Sequence, residues 1–173
     1  MMNDESGGRE SEMSIGREFF AAIYALHGHR CPMSTLGGRL GRAAAAHVDS
    51  LRRRAVYHID TCALDGIRVA TGCHEIRVVD EGRHVLDLVD DRNGRGVRVA
   101  LRPEALTIAG EYRRLDDALE RDRATLDAVT LAARQAELAR VLDRVLEQLW
   151  ALPDEVLLEI APTELDSVTL LER

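Results

Sequence analysis

Two hydrophobic periodicities divide the sequence and constrain its fold more than any other feature. Apolar residues recur at helical spacing before residue 51 and again after Pro103, whereas the segment between them contains short stretches that alternate with a period of two. Helices followed by strands and then by helices are typical of an α+β protein rather than of a doubly wound parallel sheet. We therefore predict an α+β fold in which a small antiparallel sheet packs against helices.

Proline and glycine set the limits of the predicted helices. A first helix is expected over residues 15–26, and a second begins at Pro32, whose fixed φ suits the first helical turn, and runs to about residue 51. The three glycines of this second helix weaken it, and their benefit would be the close approach of another backbone or of a ligand. A short helix is expected over residues 64–71, where Gly72 ends it. Near the C-terminus a helical stripe is expected to close on the core through Leu138, Leu142, Val145 and Leu149.

The strands are expected in the middle of the chain and close to its end. Short strands are predicted over residues 56–59, 76–80, 84–90, 97–101 and 156–160. The second and third of these flank Glu81-Gly82, which is expected to be the tight turn of a hairpin. His58 and His84 fall in strands and are expected to face solvent.

Length and charge limit the domain count and the classes of partner. The 173 residues suit one domain, with a flexible leader over residues 1–13 and a core domain over residues 14–173. Residues 111–173 carry 15 acidic residues against 8 arginines, which disfavours a nucleic-acid partner. No apolar run is long enough to span a membrane, and the polar, acidic N-terminus is unlike a signal peptide, so a cytoplasmic protein is expected. All 23 basic residues are arginines, which excludes lysine-dependent Schiff-base and phosphate-loop chemistry.

The segment HGHRCP, residues 27–32, carries the densest set of metal-binding side chains. In an extended chain His27, His29 and Cys31 point to the same side, and imidazole and thiolate are the usual donors to zinc. Cys31 directly precedes the helix that begins at Pro32, where unpaired N–H groups and the helix dipole favour a thiolate. The alternative is an ordinary loop between two helices with a buried, inert thiol.

Cys62 and Cys73 lie at the two ends of the predicted short helix, with His74 directly after the second. Their eleven-residue spacing is wrong for a zinc knuckle but compatible with one pocket built from both helix ends. The alternatives are a core cysteine for Cys62 and a reduced cytosolic thiol for Cys73.

Taken together, these segments resemble the FmdE family of formylmethanofuran dehydrogenase subunits. The resemblance covers about residues 18–104 and 135–165, through the motifs HGHRCP (27–32), DTCALDGI (60–67), TGC (71–73), NGRGVRV (93–99) and LPDE (152–155). It implies an α+β core, a homodimer, and a cleft that holds a transition metal ion and admits a small molecule. Zinc is the metal expected, and by motif match the ligand candidates are His27, His29, Cys31, Cys62 and Cys73.

The chain also departs from the family pattern. Met33 stands where the family tends to have glycine, and the Gly-Lys-Gly-Asn stretch expected soon after Cys73 is missing. With no cysteine after Cys73, the chain is expected to lack the C-terminal zinc finger of many members.

Three functional hypotheses follow from the residues and the resemblance. The first is a zinc-binding protein that is accessory to molybdenum or tungsten enzymes or to one-carbon redox metabolism. The second is a redox or sulfur-handling protein in which Cys31 is a reactive thiolate and another cysteine resolves it. The third is a non-catalytic accessory subunit that docks through its acidic C-terminal helices. The sequence leaves open whether the chain is an enzyme.

Overall fold

The computed structural model describes residues 6–166, with side chains from residue 16 onward. The helices are α1 (Ser6–His27), α2 (Pro32–Ala45), α3 (Ala63–Thr71), α4 (Pro103–Asp122), α5 (Ala128–Ala151) and α6 (Asp154–Leu157). The strands are β1 (Arg53–Tyr57), β2 (Ile76–Val78), β3 (Val85–Asp90), β4 (Arg95–Leu101) and β5 (Leu158–Glu164). Helices and one sheet share a single core, so the predicted α+β fold is confirmed.

The sheet is mixed, with the strand order β2-β1-β3-β4-β5. β2 pairs with β1 in parallel, and the remaining neighbours pair antiparallel. The predicted hairpin at Glu81-Gly82 is therefore wrong, because β1 lies between β2 and β3. The reason is the connection between β1 and β2, which contains α3 and returns the chain in the same direction, as parallel pairing requires.

The core lies between the sheet and helices α2, α4 and α5. Its fully buried members include Tyr57 on β1, Leu86 and Leu88 on β3, and Leu36 and Leu40 on α2. α3 packs on the other side of α2 at a very short distance. A Cβ on Gly37 would lie 2.0 Å from the carbonyl oxygen of Ala63, so the glycines of α2 do admit another backbone.

The element ends follow the predicted signals with three exceptions. α2 begins at Pro32, and Gly72 ends α3 with a φ of 72°. However, α2 ends at Ala45 rather than near residue 51. α1 begins at Ser6, so part of the predicted leader is helical, while residues 1–5 lie outside the described residues. One turn of helix, α6, follows Pro153 and delays the last strand to Leu158.

The face that α5 buries is rotated relative to the predicted stripe. Val145 and Leu149 are buried as expected, but Leu142 is only partly buried and Leu146 is fully buried. Among the described residues, no helix combines the length and the apolar character needed to cross a membrane.

Candidate metal centre

The turn between α1 and α2 gathers three candidate ligands. α1 ends at His27, Gly28 reverses the chain with a φ of 92°, and Cys31 caps the start of α2. The ligand atoms of His27, His29 and Cys31 all lie within 4.8 Å of one another. Thr35 Oγ1 donates a hydrogen bond of 2.8 Å to the carbonyl oxygen of Cys31, which fixes the backbone of the turn to α2. This His/Cys group fits a metal ion.

Cys62 joins the group from the start of α3. The two sulfur atoms, Sγ of Cys31 and Sγ of Cys62, are 3.6 Å apart, and both thiols are free. A disulfide would bring them to about 2.0 Å. Two thiolates on one tetrahedral zinc, with Zn–S bonds of about 2.3 Å, stand about 3.8 Å apart. The observed separation is thus close to that of two ligands on a shared ion.

His27 presents an unpartnered nitrogen to this group. Its Nδ1 lies 2.8 Å from Oδ2 of Asp65, while its Nε2 is buried without a hydrogen-bond partner among the described residues. A buried polar atom normally has a partner, so an orphan of this kind calls for an explanation. A histidine that gives one nitrogen to a carboxylate and the other to a metal is a common arrangement in metal sites.

The electrostatics of the turn favour a thiolate at Cys31. The hydrogen bond from the Cys62 thiol is the largest cause that lowers the pKa of Cys31, to about 5. The N–H groups of Ser34 and Met33 at the start of α2 and the charge of His27 act in the same direction, against the opposing effect of burial. The same contact raises the pKa of Cys62, so that Cys62 keeps the shared proton.

Cys73 is not brought to the His/Cys group. It is buried at the far end of α3, and its thiol donates to the carbonyl oxygen of Arg53 across 3.7 Å. The nine residues of α3 span about 13 Å, too far for its two ends to share one ion. The structure therefore corrects the expectation that Cys62 and Cys73 line one pocket. His74 is exposed.

A buried charged network escaped the sequence-based prediction. His58 was expected to face solvent but is buried, with its Nε2 2.8 Å from Oδ2 of Asp87. Asp87 is fully buried and also accepts two hydrogen bonds from Arg98, of 2.7 and 2.8 Å. The signal in the sequence was a single acidic residue inside the apolar strand β3, because a buried carboxylate must be paired.

A cavity of about 940 Å³ lies away from the His/Cys group. Its walls come from α1, α2, α5 and the chain after α5, and they include Phe20, Arg42, Trp150 and Leu152. None of the five candidate ligands lines it. The expected small-molecule ligand beside the metal therefore stays a prediction.

Comparison with known proteins places the chain in a family. A family model described as FmdE, molybdenum formylmethanofuran dehydrogenase operon, matches residues 26–159, which is more than half of the chain. The chain belongs to the FmdE family. The matched residues include all five candidate ligands, and FmdE membership confirms the resemblance seen in the sequence.

Two individual proteins are similar to this FmdE chain. The crystal structure of a tungsten formylmethanofuran dehydrogenase FmdE-like protein from Syntrophus aciditrophicus matches with a TM-score of 0.62 and 21% identity. That match covers 91% of this chain and 77% of the other, and it supports the fold. A probable S-adenosyl-L-methionine-binding protein of Archaeoglobus fulgidus is 31% identical over 91 residues, which are 45% of this chain. The chain spans only 25% of that relative's length.

Proposed function

We propose that this chain is a zinc-binding accessory protein of the FmdE family, with His27, His29, Cys31 and Cys62 as the ligands. The observation that carries the proposal is the convergence of two imidazoles and two sulfurs at one turn. Membership of a family described by a formylmethanofuran dehydrogenase operon supports an accessory role beside molybdenum or tungsten enzymes of one-carbon metabolism.

The donor set supports zinc over other metals. Two thiolates and two imidazoles in a tetrahedral arrangement suit zinc, whereas magnesium and calcium prefer oxygen ligands. The proposal assigns the chain to the cytoplasm, where reducing conditions keep the thiols of Cys31 and Cys62 free for metal.

The four ligands differ in exposure, which bears on what the metal would do. His29 is exposed, while His27, Cys31 and Cys62 are partly buried. Zinc held in this way would supply Lewis-acid chemistry if His29 gave up its position to a small molecule. His27, Cys31 and Cys62 would meanwhile hold the ion against the protein, and Asp65 would keep His27 in place.

Metal analysis of single variants tests the proposal. Wild-type protein from zinc-supplemented cells is expected to contain about one zinc per chain, and Cys31→Ser and Cys62→Ser to lose most of it. Cys73→Ser is the matched control, because Cys73 contacts the carbonyl oxygen of Arg53 instead of the group, and it should keep its zinc. A wild-type protein with far less than one equivalent, or an equal loss in the Cys73 variant, would contradict the proposal.

The second candidate function is thiol redox chemistry, supported by the 3.6 Å separation of Cys31 and Cys62 and by the lowered pKa of Cys31. Thiolate attack on oxidised glutathione would form a mixed disulfide and release one glutathione thiolate. The Cys62 sulfur would then displace the second glutathione, leaving one protein disulfide. The unpartnered Nε2 of His27 favours the metal, because thiol exchange gives that atom no role.

Oxidation of metal-free protein by glutathione disulfide separates the two candidate functions. Rapid formation of a Cys31–Cys62 disulfide in a protein that purifies without metal would favour redox chemistry. Tightly held stoichiometric zinc that protects both thiols would favour the metal-binding function.

A further inference from the structure

Asp65 is the carboxylate that directly contacts a proposed ligand. It stands in the first turn of α3, and its Oδ2 lies 2.8 Å from Nδ1 of His27. Its Oδ1 accepts a hydrogen bond of 2.9 Å from Nη1 of Arg68, one turn further along the same helix. The side chains of His27 and Asp65 are 13% and 25% exposed, so water has little access to their contact.

The contact decides which nitrogen of a neutral His27 carries the proton. A carboxylate oxygen only accepts hydrogen bonds, so Nδ1 must be the N–H donor and Nε2 must carry the lone pair. The opposite tautomer would bury an unpaired N–H at Nε2 and set the Nδ1 lone pair against the lone pairs of Asp65. Both effects favour the tautomer with the proton on Nδ1.

We infer that Asp65 is a positioning residue that fixes His27 as the Nδ1–H tautomer, so that Nε2 is ready to bind zinc before the ion arrives. The inference rests on the proposed function and extends it to a residue outside the ligand set. Arg68 holds one oxygen of Asp65 and thereby turns the other toward His27. Because Asp65 and Arg68 belong to α3, the helix that carries Cys62 also orients a ligand from α1.

A purely structural role for Asp65 would be to tie the end of α1 to α3. In that case removal of the carboxylate would lower stability but would leave the tautomer and the zinc affinity of the folded protein unchanged. The proton position on His27 is therefore the readout that separates positioning from simple attachment.

Nitrogen-15 NMR of metal-free protein measures this tautomer, with the His27 signals assigned by comparison with His27→Gln. In wild-type protein we expect a protonated Nδ1 and an unprotonated Nε2, and in Asp65→Ala a mixture of tautomers. Competition with a chromophoric chelator should give a zinc affinity about 10–100-fold lower for Asp65→Ala. Asp143→Asn is the matched control, because Asp143 pairs with Arg30 of the same turn without touching a ligand, and it should change neither readout.

An Nε2–H tautomer in wild-type protein would overturn the inference, as would unchanged tautomer and affinity in a folded Asp65→Ala variant. If Asp65→Ala does not fold, the wild-type tautomer and the more conservative Asp65→Asn variant still provide the test. If wild-type protein binds no zinc and yet shows an Asp65-dependent Nδ1–H tautomer, the proposed function fails while the positioning role stands.

Discussion

Cys31 owes its acidity chiefly to a residue 31 positions away in the sequence. The Cys62 thiol donates a hydrogen bond to the Cys31 sulfur, and the first N–H groups of α2 add to the effect. The two sulfurs share one proton, so the thiolate at Cys31 and the thiol at Cys62 depend on each other. Loss of Cys62 should therefore change the chemistry of Cys31 even without metal.

We expect Cys31 to be the fastest of the three cysteines to react with iodoacetamide in metal-free protein at neutral pH. A lowered pKa means that the thiolate is present above the shifted value, so the rate should rise through about pH 5 and level off by neutral pH. Cys62→Ala should move this midpoint toward the ordinary value of 9.0. Mass-spectrometric mapping of the labelled peptides measures each rate.

Zinc is the control for this labelling experiment. Added zinc should protect Cys31 and leave the slow labelling of buried Cys73 unchanged. If Cys31 were the slowest thiol, or if zinc gave it no protection, its assignment to the site would be wrong.

At the residue scale, the sequence predicted what depends on local geometry. His27, His29 and Cys31 fall within five positions, so their convergence needs only the turn at Gly28. The pairing of His27 with Asp65 spans 38 positions and depends on how α1 meets α3. No local pattern reports such a contact, and for this reason the second carboxylate contact, between His58 and Asp87, was also missed.

At the element scale, the packing of α3 on α2 places Cys62 beside Cys31. A Cβ on Gly66 of α3 would lie 2.1 Å from the carbonyl oxygen of Ser34 and 2.3 Å from the backbone nitrogen of Gly38. Backbone atoms cannot yield as a flexible side chain can, so the two helices would have to move apart.

Gly66→Ala should therefore destabilise the protein by about 3 kcal/mol or more, measured by urea unfolding. Gly110→Ala on α4 is the matched helical control, because its new Cβ would meet only Nη1 of Arg114 at 3.4 Å. There the usual preference of helices for alanine should stabilise the protein by about 0.5–1 kcal/mol. Equal effects of the two substitutions would contradict the close packing of α2 and α3.

A second prediction at this scale concerns the buried face of α5. Leu146 is fully buried, so Leu146→Ala should cost about 2–5 kcal/mol of the free energy of unfolding. Leu142→Ala should cost less, because Leu142 is only partly buried. A larger loss for Leu142 than for Leu146, again from urea unfolding, would restore the stripe predicted from the sequence.

The elements themselves were predictable because their signals are local, whereas their pairing was not. Pro32 and Gly72 mark helix ends through their own backbone preferences. The parallel pairing of β1 with β2 depends on where α3 packs, and a short strand such as Ile76–Val78 carries no mark of its partner. The predicted sheet was therefore antiparallel where the actual one is mixed.

For the whole molecule, the core and the His/Cys group are distinct. The core cluster between sheet and helices includes Cys73 but neither Cys31 nor Cys62. A chain of this length buries enough surface to fold without a metal. Removal of zinc by a chelator should therefore leave the far-ultraviolet helix signal intact.

Hydrogen exchange gives the local counterpart of this prediction. Without zinc, amide exchange should become faster in the turn at residues 28–31 and at the start of α3, while β3 stays protected. Loss of the helix signal on chelation would mean instead that the metal is required for folding.

The homodimer expected from the family resemblance is the second prediction for the whole molecule. Its first rationale was that the sheet edges need covering, but both edges are poor docking surfaces. β2 is only three residues long, and β5 contains Pro162, which has no N–H to offer a further strand. A dimer would therefore have to form through surfaces other than strand pairing.

Light scattering during size-exclusion chromatography should give twice the chain mass of 19.2 kDa at micromolar concentration. Ala161→Lys places a charge on the exposed edge strand β5, where it would block strand pairing between two copies. Because the interface is expected elsewhere, this variant should keep the dimer mass. A wild-type mass of one chain would refute the dimer, and a monomeric Ala161→Lys variant would instead return the interface to the edge of the sheet.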